Sequence, residues 1–410
     1  MNNQKLLNHL LELAGNYSNR SVVDKVNQLK TKREQYLNNI WNKEIYKNLV
    51  TVHQINKATR RIDFDTLLYF VQKEVDRIKF KQFLLAVVDL AFDSGELEYS
   101  KEVINSLIKT EFDNLTGQEL ASLYFKLGEI YFYQNDLETS NNHFENSMSQ
   151  CMDNEDLEGV ARVKNSLGVL MIEKGLYKEG KALFDSARKL ASENGFSDLI
   201  IKCDISLGNY YTMQSDIPAA LDKYFTVKEY AEINQNESLL IKALLNIAST
   251  YRHNREYEKS MNFIAKAEKL LDNADKKFLK ALFYLVKGET LIYRDELQSS
   301  YAVLTCAFTL FSEIGDKLSI ADIYRAMGIL AGKKGEDDVA LSFLETSIKL
   351  NLAGHNYLNL GETHLALAEF YQQRNNLIKA KEFLQSAKKC YAIIPGSQKV
   401  LQIDRIIASL

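Results

Sequence analysis

A two-residue motif recurs every forty residues along most of this chain and constrains its fold more than any other feature. The first residue is most often apolar and the second is Gly or Ala, with no insertion or deletion between copies. The motif stands at Leu127-Gly128, Leu167-Gly168, Leu207-Gly208, Ile247-Ala248, Lys287-Gly288, Met327-Gly328 and Leu367-Ala368. A fixed period of this length is typical of solenoids, in which each unit buries its apolar face against its neighbours. With one related unit before residue 121, the sequence predicts eight repeats over residues 81–396.

Each repeat is predicted to be a helical hairpin, so the predicted fold class is all-α. The whole chain has 2 prolines, and proline inside a helix costs about 3 kcal/mol. In the unit at 161–200, a first helix is expected over 161–174 and a second from Leu176. Gly175 and Gly195 suit the left-handed conformation that ends a helix, and Ser197 suits the N-cap of the next helix.

The small residue of the motif is expected to let the two helices of a hairpin approach closely. Further small residues follow twelve and nineteen positions later, for example Gly180 and Ala187, with a bulky residue, Phe184, between them. Alternation of small and large side chains at fixed offsets is how closely packed helices interdigitate.

This pattern resembles the tetratricopeptide repeat, which has a small residue at its eighth place and an aromatic residue three places later. Tyr131, Tyr211, Tyr251 and Tyr371 supply that aromatic residue. The family unit is usually 34 residues with a proline near its end, whereas this unit has forty and lacks that proline, as in the branch that includes Rap-type receptors and LGN-type scaffolds. The resemblance implies a right-handed superhelical solenoid that binds a protein or peptide in a concave groove.

The two ends of the chain do not carry the repeat. Residues 1–80 are predicted to form an N-terminal helical bundle or adaptor domain, and residues 397–410 a C-terminal capping helix. Residues 20–61 carry a local charge of +7, whereas the whole chain carries −3, which favours a second partner for this segment. Residues 1–80 as a whole resemble effector-associated, death-like adaptor domains, and the alternative is a capping bundle with a basic surface. No helix-turn-helix pattern is found, so a nucleic-acid partner is not expected.

The sequence contains no recognisable catalytic motif. Phosphate-binding glycine loops, metalloprotease helices and hydrolase nucleophile motifs are all missing. No two of the 6 histidines are spaced to share a helix face as metal ligands, and the 4 cysteines show no paired spacing. We therefore predict a non-enzyme with no cofactor and no metal. The cysteine usage and the short apolar runs favour a reducing, cytoplasmic location without membrane contact.

Candidate binding residues lie at repeat positions that would line the groove by resemblance to the family. Arg162, Lys202 and Lys242 occupy the second place of three successive units and would form a basic ladder. Lysine and arginine ladders favour an acidic or carboxylate-bearing partner segment, and asparagine can pair with a peptide backbone. The full candidate set is Arg162, Asn165, Lys202, Asn209, Lys242, Asn246, Ser249, Arg252 and His253. The alternative is that these side chains form an ordinary solvated helix face.

The function predicted from the sequence is that of a non-catalytic scaffold or adaptor, which captures a partner segment in the groove of the solenoid. The alternative is a peptide-switched regulator of bacterial signalling or defence, in which binding repositions residues 1–80 against a second protein. The sequence predicts neither the partner's identity nor the oligomeric state.

Overall fold

A computed structural model describes residues 3–18, 22–31, 64–271, 277–354, 356–392 and 398–410. Most of the basic segment at 20–61 lies outside these residues, as does residue 396, where the repeats are expected to end. Throughout the described ranges the regular structure is helical, with no strand. The predicted all-α fold of consecutive helical hairpins is confirmed. None of the described helices is both long and apolar enough to cross a lipid bilayer.

The helices are numbered along the chain. The first five are α1 (Asn3–Tyr17), α2 (22–31), α3 (64–74), α4 (Arg77–Asp93) and α5 (Leu97–Glu111), followed by a 3-10 turn at Phe112–Asn114. The others are α6 (Gly117–Tyr133), α7 (Leu137–Asp153), α8 (Leu157–Glu173), α9 (Tyr177–Glu193), α10 (Ser197–Met213), α11 (Ile217–Ile233), α12 (Glu237–His253), α13 (Tyr257–Leu271), α14 (Lys277–Tyr293), α15 (Leu297–Ile314), α16 (Lys317–Lys334), α17 (Asp337–Ala353), α18 (Tyr357–Gln373), α19 (Leu377–Ala392) and α20 (Gln398–Ser409).

Two compact units make up the chain, Met1–Leu115 and Thr116–Leu410. The first unit contains α1 to α5, and its α4–α5 pair is the earliest hairpin of the repeat. The second unit contains seven hairpins, from α6–α7 to α18–α19, together with α20. The domain boundaries expected from the sequence, at residues 80 and 396, stay a prediction.

Where the motif carries glycine, that glycine lies directly against the bulky residue of the second helix. A Cβ atom added to Gly168 would lie 2.5 Å from the Phe184 ring, and one added to Gly208 would lie 2.6 Å from the Tyr224 ring. Atoms cannot approach this closely, so only glycine fits without movement. The predicted close approach of the two helices is therefore present.

Serines strengthen the same contact in a way that the motif alone does not indicate. The Ser140 hydroxyl donates a 2.8 Å hydrogen bond to the Gly128 carbonyl, and Ser300 donates an equal bond to Gly288. Both serines are fully buried. The small residue twelve places after the motif thus supplies a helix-to-helix hydrogen bond where it is serine.

The helix ends follow a regular scheme with one departure from the sequence prediction. Gly175 and Gly195 have φ angles of 80° and 73°, so both end a hairpin helix as expected. Ser197, however, is the first residue of α10, and the N-cap is Phe196, which makes no side-chain cap hydrogen bond. The prediction for Ser197 was wrong because the repeat places its cap one residue earlier, where Asp156, Asn236 and Asp316 cap the equivalent helices.

In the unit 116–410 the first helices of successive hairpins also contact one another. These contacts join α6 with α8, α8 with α10, and each later first helix with the next as far as α18. We call the shared face of these helices the inner surface. The capping helix α20 packs on α19, with Ile403 buried while Leu401 is 62% exposed.

The last hairpins of this unit return to contact the early ones. Helix α18 touches α8, and the Asn135 amide donates a 2.9 Å hydrogen bond to the Leu350 carbonyl. One apolar cluster includes Ile172 and Tyr177 from the early side and Tyr391 and Ile403 from the late side. We call this contact the seam.

Replacing Gly208 by leucine should overpack the α10–α11 hairpin, because the new side chain would occupy the position of the Tyr224 ring. We expect a loss of about 1–3 kcal/mol in the free energy of unfolding, measured by urea denaturation. The control is Lys189→Leu, at a helical site whose side chain is 77% exposed. Unchanged stability of the Gly208 variant would contradict the hairpin packing.

Candidate functional site

The three predicted residues of the basic ladder all act electrostatically on one carboxyl group. Arg162 on α8, Lys202 on α10 and Lys242 on α12 all act electrostatically on Glu129 of α6, as does Lys126 on the same helix. We call these four cations the basic cluster. Four neighbouring first helices contribute to it, so it depends on the packing of the repeats.

Burial dominates the chemistry of the basic cluster. It raises the pKa of Glu129 to about 7, even though the four cations oppose this effect. Burial also lowers the pKa of Lys242, assisted by Lys202 and opposed by Glu129. A cation in such a partly dehydrated place attracts an anion more strongly than one in bulk water. The arrangement is therefore suited to a second carboxylate.

Two of the predicted asparagines carry buried polar atoms without a hydrogen-bond partner. These atoms are the Oδ1 of Asn165 and the Nδ2 of Asn246. Each asparagine is three or four residues beyond a cation of the basic cluster on the same helix, so it shares a face with that cation. Unpaired buried amide atoms are costly, and a ligand backbone can satisfy both. Asn209, by contrast, already accepts a hydrogen bond from the Tyr224 hydroxyl.

The remaining predicted residues belong to a different part of the inner surface. Arg252 pairs with Glu289 of the next repeat at 2.9 Å, and both side chains are largely buried. Its Nη2 also donates a 3.3 Å hydrogen bond to the Ser249 hydroxyl, while His253 beside it is exposed. Arg252 thus contacts both Ser249 and Glu289, and the nine-residue site stays a prediction.

The Arg252–Glu289 pair begins a row of alternating charges that crosses four first helices and ends on α20. We call this row the ion ladder: Arg252, Glu289, Arg325, Glu362 and Lys399. Arg325 lies 3.6 Å from both Glu289 and Glu362, and Lys399 pairs directly with Glu362. Each interior member has a partner of opposite charge on both sides.

The charge states of Glu362 and Arg325 in the ion ladder follow from their having two partners of opposite charge. Burial opposes the charge on Glu362, but Lys399 and Arg325 outweigh it and hold the pKa of that carboxyl well below its usual range. Burial likewise opposes the charge on Arg325, and Asp322, Glu289 and Glu362 together still raise its pKa. Glu362 and Arg325 therefore stay charged across the physiological range.

The sequence contains a pattern that indicates the ion ladder but differs from the forty-residue motif. Its members alternate in charge and are separated by slightly less than the forty residues of one repeat. The reason is that neighbouring first helices contact each other through residues at different positions of the repeat. A search for opposite charges at 36 or 37 residue spacing identifies Arg252, Glu289, Arg325, Glu362 and Lys399. In the described residues, no group of three His, Cys, Asp or Glu side chains is placed to hold a metal ion.

Comparison with known proteins assigns the repeat. The model of the tetratricopeptide repeat family matches residues 241–270, which cover most of α12 and α13. The chain therefore contains a tetratricopeptide repeat at these residues. Human Tetratricopeptide repeat protein 29 is 25% identical over 197 residues, which are 42% of this chain and 41% of that protein. The chain thus spans less than half the length of this curated relative.

Solved structures share the fold of this tetratricopeptide-repeat chain at low identity. A Rap protein complexed with Competence and Sporulation Factor has a TM-score of 0.58 at 12% identity, and the match covers 99% of this chain and 98% of that one. NprR in complex with its cognate peptide NprX has a TM-score of 0.50 at 13% identity, covering 87% and 94%. The predicted likeness to the Rap-type branch is confirmed at the level of the fold.

The ion ladder makes a prediction that separates buried from exposed ion pairs. Arg252–Glu289 and Arg162–Glu158 both have a separation of 2.9 Å, but their side chains are 10% and 13% exposed in the first pair and 42% and 51% in the second. Arg252→Met removes the nearer of the two cationic partners of the buried Glu289 carboxylate and should cost about 3 kcal/mol of unfolding free energy. Arg162→Met should cost less than about 1 kcal/mol. Urea denaturation of both variants checks this, and equal losses would contradict a structural role for the ladder.

Proposed function

We propose that the unit 116–410 binds a short, extended protein or peptide segment on its inner surface, with a carboxylate of that segment held by the basic cluster. The observation that carries this proposal is that Lys126, Arg162, Lys202 and Lys242, from four neighbouring first helices, all act to lower the pKa of one carboxyl group, Glu129. A carboxylate of the ligand would add a favourable contact with Lys202 and with the partly buried Lys242.

The unpaired amide atoms support a backbone ligand in particular. Asn165 offers an acceptor and Asn246 a donor, which match the N–H and C=O groups of an extended chain. The fold is also that of two proteins whose structures contain a bound Competence and Sporulation Factor and a bound NprX peptide. The proposed role is therefore capture of a peptide segment, without catalysis.

Binding through the basic cluster is testable with a random hexapeptide library carrying free carboxyl termini. The full-length chain is mixed with the library, and the retained peptides are counted by mass spectrometry after ultrafiltration. Retention should fall at least tenfold for Lys202→Glu combined with Lys242→Glu, because two attractive charges become repulsive. The thermal midpoint should change little. The control is Lys189→Glu combined with Lys269→Glu, two exposed lysines of the second helices. The proposal fails if the wild-type chain retains no peptide, or if the double variant retains as much as the control.

A peptide-switched regulator is the second candidate. It is favoured by the division of the chain into two compact units, since a switch needs one unit to bind and another to respond. In that case, peptides retained by the wild-type chain should change its radius of gyration in small-angle X-ray scattering. An unchanged radius would leave simple capture as the function.

A further inference from the structure

A second polar site lies where α8 and α9 meet the beginning of α18, beside the seam. Three side chains there carry buried polar atoms without a hydrogen-bond partner: the Oε2 of Glu173, the hydroxyl of Tyr177 and the Nδ2 of Asn356. Tyr177 is 2% exposed and Asn356 is fully buried. Native proteins rarely leave several buried polar atoms unpaired in one place, so this group indicates a missing partner.

The charge around this site is negative and uncompensated at Glu173. Burial raises the pKa of Glu173 to about 7, and the carboxyls of Asp322 and Asp316 raise it further, while the Asn356 amide opposes them. Asp316 is occupied as the N-cap of α16, because it accepts hydrogen bonds from both the amide and the hydroxyl of Ser319. No cation appears among the groups that shift this pKa.

Two cations of the ion ladder are committed to other partners. Arg325 lies 3.1 Å from Asp322 and is shared with Glu289 and Glu362. Lys399 pairs with Glu362. The ion ladder thus neutralises its own carboxylates and leaves Glu173 without a counter-charge.

The unpaired atoms define the chemistry of the missing group. Asn356 uses its Oδ1 to accept from the Asn359 amide, so its Nδ2 can act only as a donor. Glu173 and Tyr177 remain as acceptors, and an ammonium or guanidinium group offers several donors together with a positive charge. Such a group would also favour ionisation of Glu173.

We propose that Glu173, Tyr177 and Asn356 form a recognition site for a cationic group of the ligand, either an ammonium or a guanidinium. This inference rests on the proposed function, because it gives the captured segment a second charged contact on the same surface. The ligand is then dipolar, with its carboxylate at the basic cluster and its cation at Glu173.

The spacing of the two sites sets the length of the ligand. Arg162 and Glu173 both lie on α8, and at 1.5 Å per residue they are about 16 Å apart along the helix. An extended chain covers about 3.3 Å per residue. Five or six residues therefore span the distance, which suits a hexapeptide.

The test uses the full-length chain and the random hexapeptide library with free carboxyl termini, in two forms, one with free and one with acetylated amino termini. We expect the wild-type chain to retain peptides enriched at least fivefold in Lys and Arg, or to require the free amino terminus. If the acetylated peptides are still enriched in Lys and Arg, the bound cation is a side chain. If acetylation abolishes retention, the bound cation is the amino terminus. Either outcome supports the site.

Variants connect this preference to the proposed residues. Glu173→Gln, which keeps the shape of the side chain, should abolish the cation preference but keep the dependence on Lys202 and Lys242. Glu179→Gln, an exposed glutamate on α9, should behave like wild type. Tyr177→Phe should weaken the preference, and circular dichroism should show that each variant remains helical.

Proton release gives a readout that a merely structural role would not produce. Because Glu173 has a pKa of about 7, binding of a cation at pH 7 should ionise it and release part of a proton. Calorimetry of a retained peptide in two buffers of different ionisation enthalpy measures this release, which should disappear in Glu173→Gln. Retention without any cation preference would overturn the cation site and leave the proposed function standing. No retention by the wild-type chain would overturn both.

Discussion

Close contact between the two helices of each hairpin is the interaction on which the rest of this structure depends. A glycine on the first helix meets a ring or a leucine on the second, as Gly168 meets Phe184 and Gly288 meets Leu304. This contact fixes the distance and rotation of each helix pair. The first helices can then contact one another from α6 to α18, and every charged feature of the inner surface is built on that layer.

The repeat could be predicted because its packing is local and periodic. The motif at Gly128 and its successors identified the hairpins, and the small and large positions around Phe184 identified their contact. The N-cap residues of the helices were harder to predict. Ser197 was expected to cap α10, but the cap is Phe196, because a serine near a helix start does not show which residue lies just outside the helix. The hydrogen bond of Ser140 to Gly128 depends on rotamer geometry, which the sequence pattern does not contain.

The inner surface was predictable in part. Arg162, Lys202 and Lys242 share a repeat position, so their convergence follows from the period. The role of Glu129 does not follow from the period, because its raised pKa results from burial by helices on several repeats. The ion ladder shifts by several residues at each step and is therefore invisible to an alignment on the forty-residue period. Glu173 and Asn356 are brought together only by the return of α18 to α8, which no short-range pattern encodes.

That return also distinguishes this unit from a simple linear array. In a linear array each repeat contacts only its neighbours, and hairpins can be added or removed with a roughly additive effect on stability. Here the bond from Asn135 to Leu350 and the apolar cluster of Ile172 with Ile403 join distant repeats. Duplication or deletion of a single hairpin between them would displace α18 from α8 and break both contacts. The number of repeats is therefore part of the architecture, and this stretch of chain should tolerate change in its loops far better than change in its repeat count.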